Sequence, residues 1–230
     1  MNPLRLKTFL LVSALFVAPA WPAVFQVQHD HLFRSCRGEL VFSDTTVEYK
    51  TEKTAHARVW KYEDIQQVEI APGRITILTY DARKINLGAD RSFHFKVLSG
   101  DVDDKFRREI ENKLSRPLVS AVVPGKSEAR YTLPVRHRRF LSDSQGILEI
   151  GDRYIIYRAE TPEECRIWRY DELLSVGSTG PYQLRIGALE KTGGEYGEEK
   201  NYVFDLKRRL EPVEYDFIWE KINRPKIKGN

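Results

Sequence analysis

The residues best equipped for chemistry are histidines. His29 and His31 stand two positions apart, so on a strand both imidazoles would leave one face. With His56 or His94 they could offer the nitrogen donors that zinc takes. Against a metal, only His29 has a counterpart 108 positions later, His137, and it has no histidine partner there. No Cys/His spacing of a structural zinc site occurs either. The histidines are therefore read as surface or capping groups, with no metal and no cofactor expected. The chain has neither a G-x-S-x-G elbow nor an H-E-x-x-H pair. "PGKS" at Pro124 to Ser127 ends like a phosphate loop, but Ser120 stands where the first glycine of that loop belongs. The carboxylates of "EEK" and "EPVE" read as solvated loops and helix starts. The expectation is a protein that is not an enzyme.

Two sets of residues could bind instead. Val213 and Phe217 are apolar positions roughly 160° from the core stripe of the last helix, by the 100° per residue of helical geometry. They suit either packing between domains or a partner, with Phe217 as anchor. Basic clusters stand at Arg136, Arg138 and Arg139, at Lys207, Arg208 and Arg209, and in "RPKIK" from Arg224 to Lys228. Gathered on one face, the first two clusters could rest on an anionic membrane.

The elements that must position these residues come from a repeat. "RVWKYEDI" at Arg58 to Ile65 returns as "RIWRYDEL" at Arg166 to Leu173. At the same offset His29, Gly38, Leu40, Asp44, Tyr49, Glu52, Arg58, Trp60, Tyr62 and Val68 meet identical residues in an ungapped window of 40 positions. Chance would supply only two or three, so the chain is a duplicated domain. Each copy reads as short strands with apolar and polar residues alternating, then one amphipathic helix. Asp103 caps the first helix, with its stripe at Phe106, Ile110 and Leu114. Pro212 opens the second, with Tyr215, Ile218, Trp219 and Ile222. Trp60 and Tyr62, repeated as Trp168 and Tyr170, are read as core anchors. Arg58 and Arg166 are read as rim ion pairs with Glu63 and Asp171.

Composition agrees with packed domains: 230 residues, 41% hydrophobic and 30% charged. A formal charge of +4 is too small for a nucleic-acid footprint. Residues 1–20 place Arg5 and Lys7 before a short apolar run and end in Ala18-Pro19-Ala20, the layout of a secretory signal peptide cut after Ala20. In an oxidising compartment Cys36 and Cys165 could pair. Because Cys36 aligns with Ser144 and Cys165 with Ala57, a bridge would join the two copies. Two buried free thiols is the preferred reading.

Seven strands closed by one helix resembles the bacterial PH-like (pleckstrin-homology/GRAM superfamily) domain. The likeness rests on the Gly38-to-Tyr49 hairpin, "RVWKYEDI", the Phe93-x-Phe95 strand and the final helix, with their counterparts in the second copy. It implies a mainly β fold of two tandem seven-stranded barrels. The expected order is signal peptide 1–20, first domain 24–115, linker 116–129, second domain 130–225 and basic tail 226–230. It also implies an exported, non-catalytic module that docks an unidentified protein or peptide at the cell envelope, with anionic lipid as the alternative ligand. By analogy with strand-adding relatives, a peptide would pair along Gln66 to Ala71 or Leu174 to Ser178.

Overall fold

The structure is a computed structural model, and it describes residues 21–30, 35–82, 90–139, 142–191 and 200–228. The signal peptide, His31, residues 192–199 of the glycine-rich loop and the last two residues lie outside the described residues, as do the side chains from Pro225 onward.

The chain is mainly β with two α-helices, as the alternation of apolar and polar residues predicts. In chain order the elements are β1 (Ala23–Asp30), β2 (Ser35–Phe42), β3 (Thr46–Lys50), β4 (Arg58–Lys61), β5 (Ile65–Ala71), β6 (Arg74–Ala82), β7 (Asp90–Ser99), α1 (Asp104–Lys113) and β8 (Leu118–Ser120). The second half follows with β9 (Ala129–Arg138), β10 (Ser144–Gly151), β11 (Tyr154–Ala159), β12 (Arg166–Arg169), β13 (Leu173–Gly177), β14 (Gln183–Ala188), β15 (Lys200–Leu206) and α2 (Pro212–Lys228). They form one sheet ordered β13-β14-β15-β9-β10-β11-β12-β8-β5-β6-β7-β1-β2-β3-β4. Each half is thus a ladder of the same order, and β8 stands between them. The sheet is open in this ladder: β13 and β4 are its two ends. Two hydrophobic clusters fill the halves, one around Leu40, Ile65, Ile75 and Phe95, the other around Leu148, Leu173, Leu184 and Phe204.

The 108-residue offset survives in three dimensions, and it explains what the repeated residues do. Tyr62 donates to the Ser43 carbonyl at 2.8 Å, and Tyr170 to that of Gly151 at 2.7 Å. The Tyr49 hydroxyl reaches the Cys36 carbonyl at 3.1 Å, and that of Tyr157 the Ser144 carbonyl at 2.9 Å. Trp60 meets Phe93 edge-on with centroids 4.8 Å apart, as Trp168 meets Tyr202, the offset having slipped to 109 over the later strands. Lys113 pairs with Asp44 and Lys221 with Asp152. Arg58 and Arg166 do not form the rim pairs expected with Glu63 and Asp171. Each donates to two carbonyls of the turn before it, Ala55 and Ala57 in one half, Glu163 and Cys165 in the other. A guanidinium fork satisfies the orphan carbonyls that a short turn leaves behind.

Three more expectations differ from the structure. The linker at 116–129 contains β8, whose Leu118, Val119 and Ser120 are all buried. It pairs in parallel with β5, and Ser120 pairs with Ile167 of β12. On α2, Trp219 is 43% exposed, and the buried residues are Glu214, Ile218 and Ile222. Positions four apart share a helix face, whereas Trp219 is turned 100° from Ile218. The helix also runs on to Lys228, through residues expected as part of a tail.

The repeated glycines are required by close approach. A Cβ on Gly38 would lie 2.1 Å from the Lys50 carbonyl oxygen, and one on Gly146 2.3 Å from that of Arg158. Gly38→Ala or Gly146→Ala is expected to cost about 2 kcal/mol or more, because backbone must shift. Gly125→Ala, with nothing within 4 Å of the added carbon, should stay within about 0.5 kcal/mol of wild type. Urea unfolding of the three variants checks the contrast; equal losses would refute the steric account.

Candidate functional site

The sequence-derived candidates disperse. His29 is buried, with Nδ1 2.9 Å from the His94 carbonyl oxygen and its ring against Tyr49, Phe93 and Phe95. His94 turns to Thr76, and His56 lies 3.0 Å from the Cys36 sulfur. Among the described residues no three His, Cys, Asp or Glu side chains converge as a metal set. Cys36 and Cys165 are free and buried. The Cys36–His56 pair has the elements of a nucleophile and base, and the Cys36 residue is 4% exposed.

The basic clusters are largely neutralised. Arg136 pairs with Asp205 at 2.7 Å and Asp143 at 3.5 Å, and Arg138 approaches the same Asp205 at 3.8 Å. Arg139 pairs with Glu164, Arg208 grips Glu214 with both terminal nitrogens, and Lys207 donates to Gln145. Arg209 is exposed, with no ion pair among the described residues. Neighbouring carboxylates therefore take up most of the charge that a membrane would read. Phe217 is half-buried on its own half, edge-on to Tyr131 at 5.7 Å and under Arg130 and Lys221. It does not bridge the halves, while Val213 is 60% exposed. The strand edge expected at Gln66 to Ala71 is taken: β8 occupies it from within the chain. In the second half the corresponding strand, β13, ends the sheet order, and the Val176 carbonyl accepts from the Tyr215 hydroxyl at 3.5 Å.

A different site opens beside the junction. A recess of about 550 Å³ is lined by Arg153, Tyr154, Arg169, Tyr170, Asp171, Lys221 and Ile222. Arg153 and Tyr154 also border a 300 Å³ recess reaching under α1 to Arg107, Arg108 and Lys126. Lys221 borders a third, of about 370 Å³, with Arg130, Phe217 and Arg224. Shared walls make the three one groove. Tyr154 stands between the first two recesses, with the Arg107 guanidinium of the first half 5.4 Å from its ring centre and that of Arg153 5.7 Å away. Such stacking orders both arginines without consuming their hydrogen-bond donors.

The floor is a partly buried ionic network that joins the halves. Arg107, 3% exposed, holds Asp104 at 2.8 Å and Glu111 at 2.7 Å on its own helix. Arg169 of the second half reaches Asp171 at 2.8 Å and Glu111 at 3.7 Å. The Arg169 backbone N–H donates to Glu172 at 2.9 Å. Glu172 is 7% exposed. Burial raises its carboxyl to about 7; the Arg169 backbone and guanidinium oppose this, while Glu111 and Asp171 add to it.

A second buried network lies at the other side of the second half. Burial would raise the Glu190 carboxyl, but Lys200, Arg166, Tyr202 and Trp168 together hold it below its usual range. Burial pushes His137, stacked on Tyr202 and Phe204, down to about 4, helped by Arg139, Lys200 and Arg166. From the first half, Gln67 exchanges two hydrogen bonds with the Lys191 backbone, tying this corner to β5.

The Glu172 environment sets a pH dependence. A carboxyl whose folded pKa is raised binds its proton more tightly when folded, so its contribution is complete below about 4.5 and fades as pH rises through about 7. Stability is expected to fall between about pH 5 and 8 by up to about 3 kcal/mol from this group. Glu172→Gln, which keeps the acceptor for the Arg169 N–H, should flatten that slope and melt higher than wild type at pH 8. An equal loss of melting temperature at both pH values would exclude the mechanism.

No protein-family model and no curated protein matches the chain. Among solved structures, the chain is similar to one in a structure of the Spt16D Pob3N heterodimer, at 12% identity and a TM-score of 0.28, over 73% of this chain and 84% of that one.

Proposed function

We propose that each half is a PH-like barrel closed by its helix, and that the pair is an exported, non-catalytic module docking a protein partner. The two ladders of identical strand order, each followed by a helix, support the tandem reading, with domains at 24–115 and 130–225. The observation that carries the docking reading is the groove beside the junction, where aromatic faces and stacked arginines line open space. Anionic lipid is the second reading. It would use the clusters at Arg136 to Arg139 and Lys207 to Arg209, four of whose members are held by the protein's own carboxylates.

Export is favoured by the signal-peptide layout, and the position of the cut by Trp21. Its ring stacks on Phe106 at 6.2 Å, tilts against Phe42 at 6.5 Å and lies under the Lys113 ammonium at 4.9 Å. Cleavage after Ala23 would remove that cover, whereas cleavage after Ala20 keeps it. The intact mass of the exported protein is expected to begin at Trp21; a product beginning at Val24, or an uncut chain, would overturn this part.

Docking is tested by placing a photo-crosslinking residue at Tyr154 in cells, with Val59, 66% exposed on β4, as control position. A discrete protein adduct at Tyr154 and none at Val59 is the expected result. Vesicle flotation separates the lipid reading: binding that needs anionic lipid and weakens toward ~0.15 M salt would replace the docking reading.

A further inference from the structure

The groove's cations fall into two groups. Five are committed to carboxylates nearby: Arg107 and Arg108 to Asp104, Arg169 to Asp171, Lys221 to Asp152 and Arg224 to Glu220. Lys126, Arg130 and Arg153 are exposed and have no carboxylate partner among the described residues. On the acidic side Glu149 is held by Arg158, so Glu128 is the remaining groove carboxylate without a cation among the described residues. The groove therefore carries a surplus of positive charge, spread along its length rather than focused on one point. Two of the three uncommitted groups are ordered in advance. Arg130 stacks on Phe217 at 5.0 Å and on Tyr131 at 5.7 Å, and Arg153 stacks on Tyr154. Their planar forks keep the edges that match a carboxylate. Between them Tyr154 offers a half-buried aromatic face, backed by the buried Tyr170 and Ile222.

From this arrangement we propose that the groove takes an acidic linear segment of a partner protein. Its carboxylates pair with Lys126, Arg130 and Arg153, and an aromatic or aliphatic side chain sits against Tyr154. This rests on the docking reading above and names the chemistry of the partner. Spacing favours a linear segment over a single small anion, because Lys126 and Arg153 border one recess while Arg130 borders another, with a third recess between Arg153 and Lys221. The concave walls suit a protruding segment better than the flat headgroup layer of a membrane.

The probe is a short fluorescein-labelled peptide of alternating glutamate and tyrosine, followed by fluorescence anisotropy with the whole exported protein. Binding is expected, with none for the matching lysine–tyrosine peptide. The triple variant Lys126→Ala, Arg130→Ala, Arg153→Ala should bind roughly tenfold more weakly, with a shallower salt dependence, as expected for rim charges. Arg136→Ala with Arg138→Ala should leave affinity unchanged. An unchanged melting temperature of the triple variant shows that the fold is intact. No binding by wild type, or equal binding by the triple variant, overturns the proposal. So does loss of binding to phosphatidylglycerol vesicles in the triple variant while the peptide is still held, which would make the groove a membrane site. The crosslinking at Tyr154 separates the two levels. A protein adduct without acidic-peptide binding overturns the acidic class and leaves docking standing; neither signal overturns both.

Discussion

Three buried residues, Leu118 to Ser120, hold the molecule together as one sheet. Their backbone pairs on one side with Val68 to Ile70 and on the other with Ile167. The Ala121 N–H adds a bond to the Ile70 carbonyl at 2.8 Å. Without this strand, β5 and β12 would each present unpaired amides in an apolar setting, where an unmade hydrogen bond costs about 1–3 kcal/mol. Everything at the junction follows from it. Once β8 fixes the distance between the halves, α1 of the first lies beside β11 and β12 of the second. Arg107, Glu111 and Glu172 are then enclosed with Arg169 at their rim, and a charge network becomes obligatory because ions buried alone are far costlier than ions buried in pairs. The groove is the outer side of the same closure.

Much of this architecture was legible in the sequence, since duplicated residues announce themselves by spacing. Gly38 and Gly146 recur because a carbonyl of the neighbouring strand leaves no room for a side chain. Tyr62 and Tyr170 recur because each hydroxyl closes the same turn, and Trp60 and Trp168 because each fills the same place against an aromatic of the last strand. What period-two and 3.6-residue patterns could not give was the function of segments that do not repeat. "RPLVSAVV" reads as a linker because its proline and short length mask a three-residue strand, although four apolar residues in five positions were a signal available for burial. Arg58 and Arg166 were misread because sequence shows neighbouring acids and not the turn carbonyls a folded guanidinium finds first.

The groove was not legible at all. Its cations come from α1, the segment before β9, β9 itself, the β10–β11 turn, β12 and α2, and no window of sequence contains more than a few of them. The clusters that do stand out in sequence, such as "RHRR", are those whose alternate members fall on one strand face beside Asp205 and Asp143. Density of charge along a chain thus proved a poor guide to density of available charge in space. The same holds for Glu190 and Lys200. They flank a glycine-rich stretch that reads as solvated, yet Glu190 is 5% exposed and bonded to Trp168, Tyr202 and Lys200. Their first-half counterparts are Asp81, which is exposed, and Arg91, whose guanidinium lies over Phe93. The two copies share a scaffold and differ in what they bury.

The strand order has one more consequence, which concerns symmetry. The halves are not related as the two members of a twofold pair, in which each contributes the same surface. β8 joins the fourth strand of one copy to the fifth strand of the other. That is a heterologous contact, head to tail, and it does not close on itself. The molecule therefore has polarity: its two ends, β13 and β4, are unlike surfaces, each the counterpart of one already joined inside the chain. A fusion of two copies by a twofold contact would have used up its joining surface, whereas this one keeps a different half of it at either end.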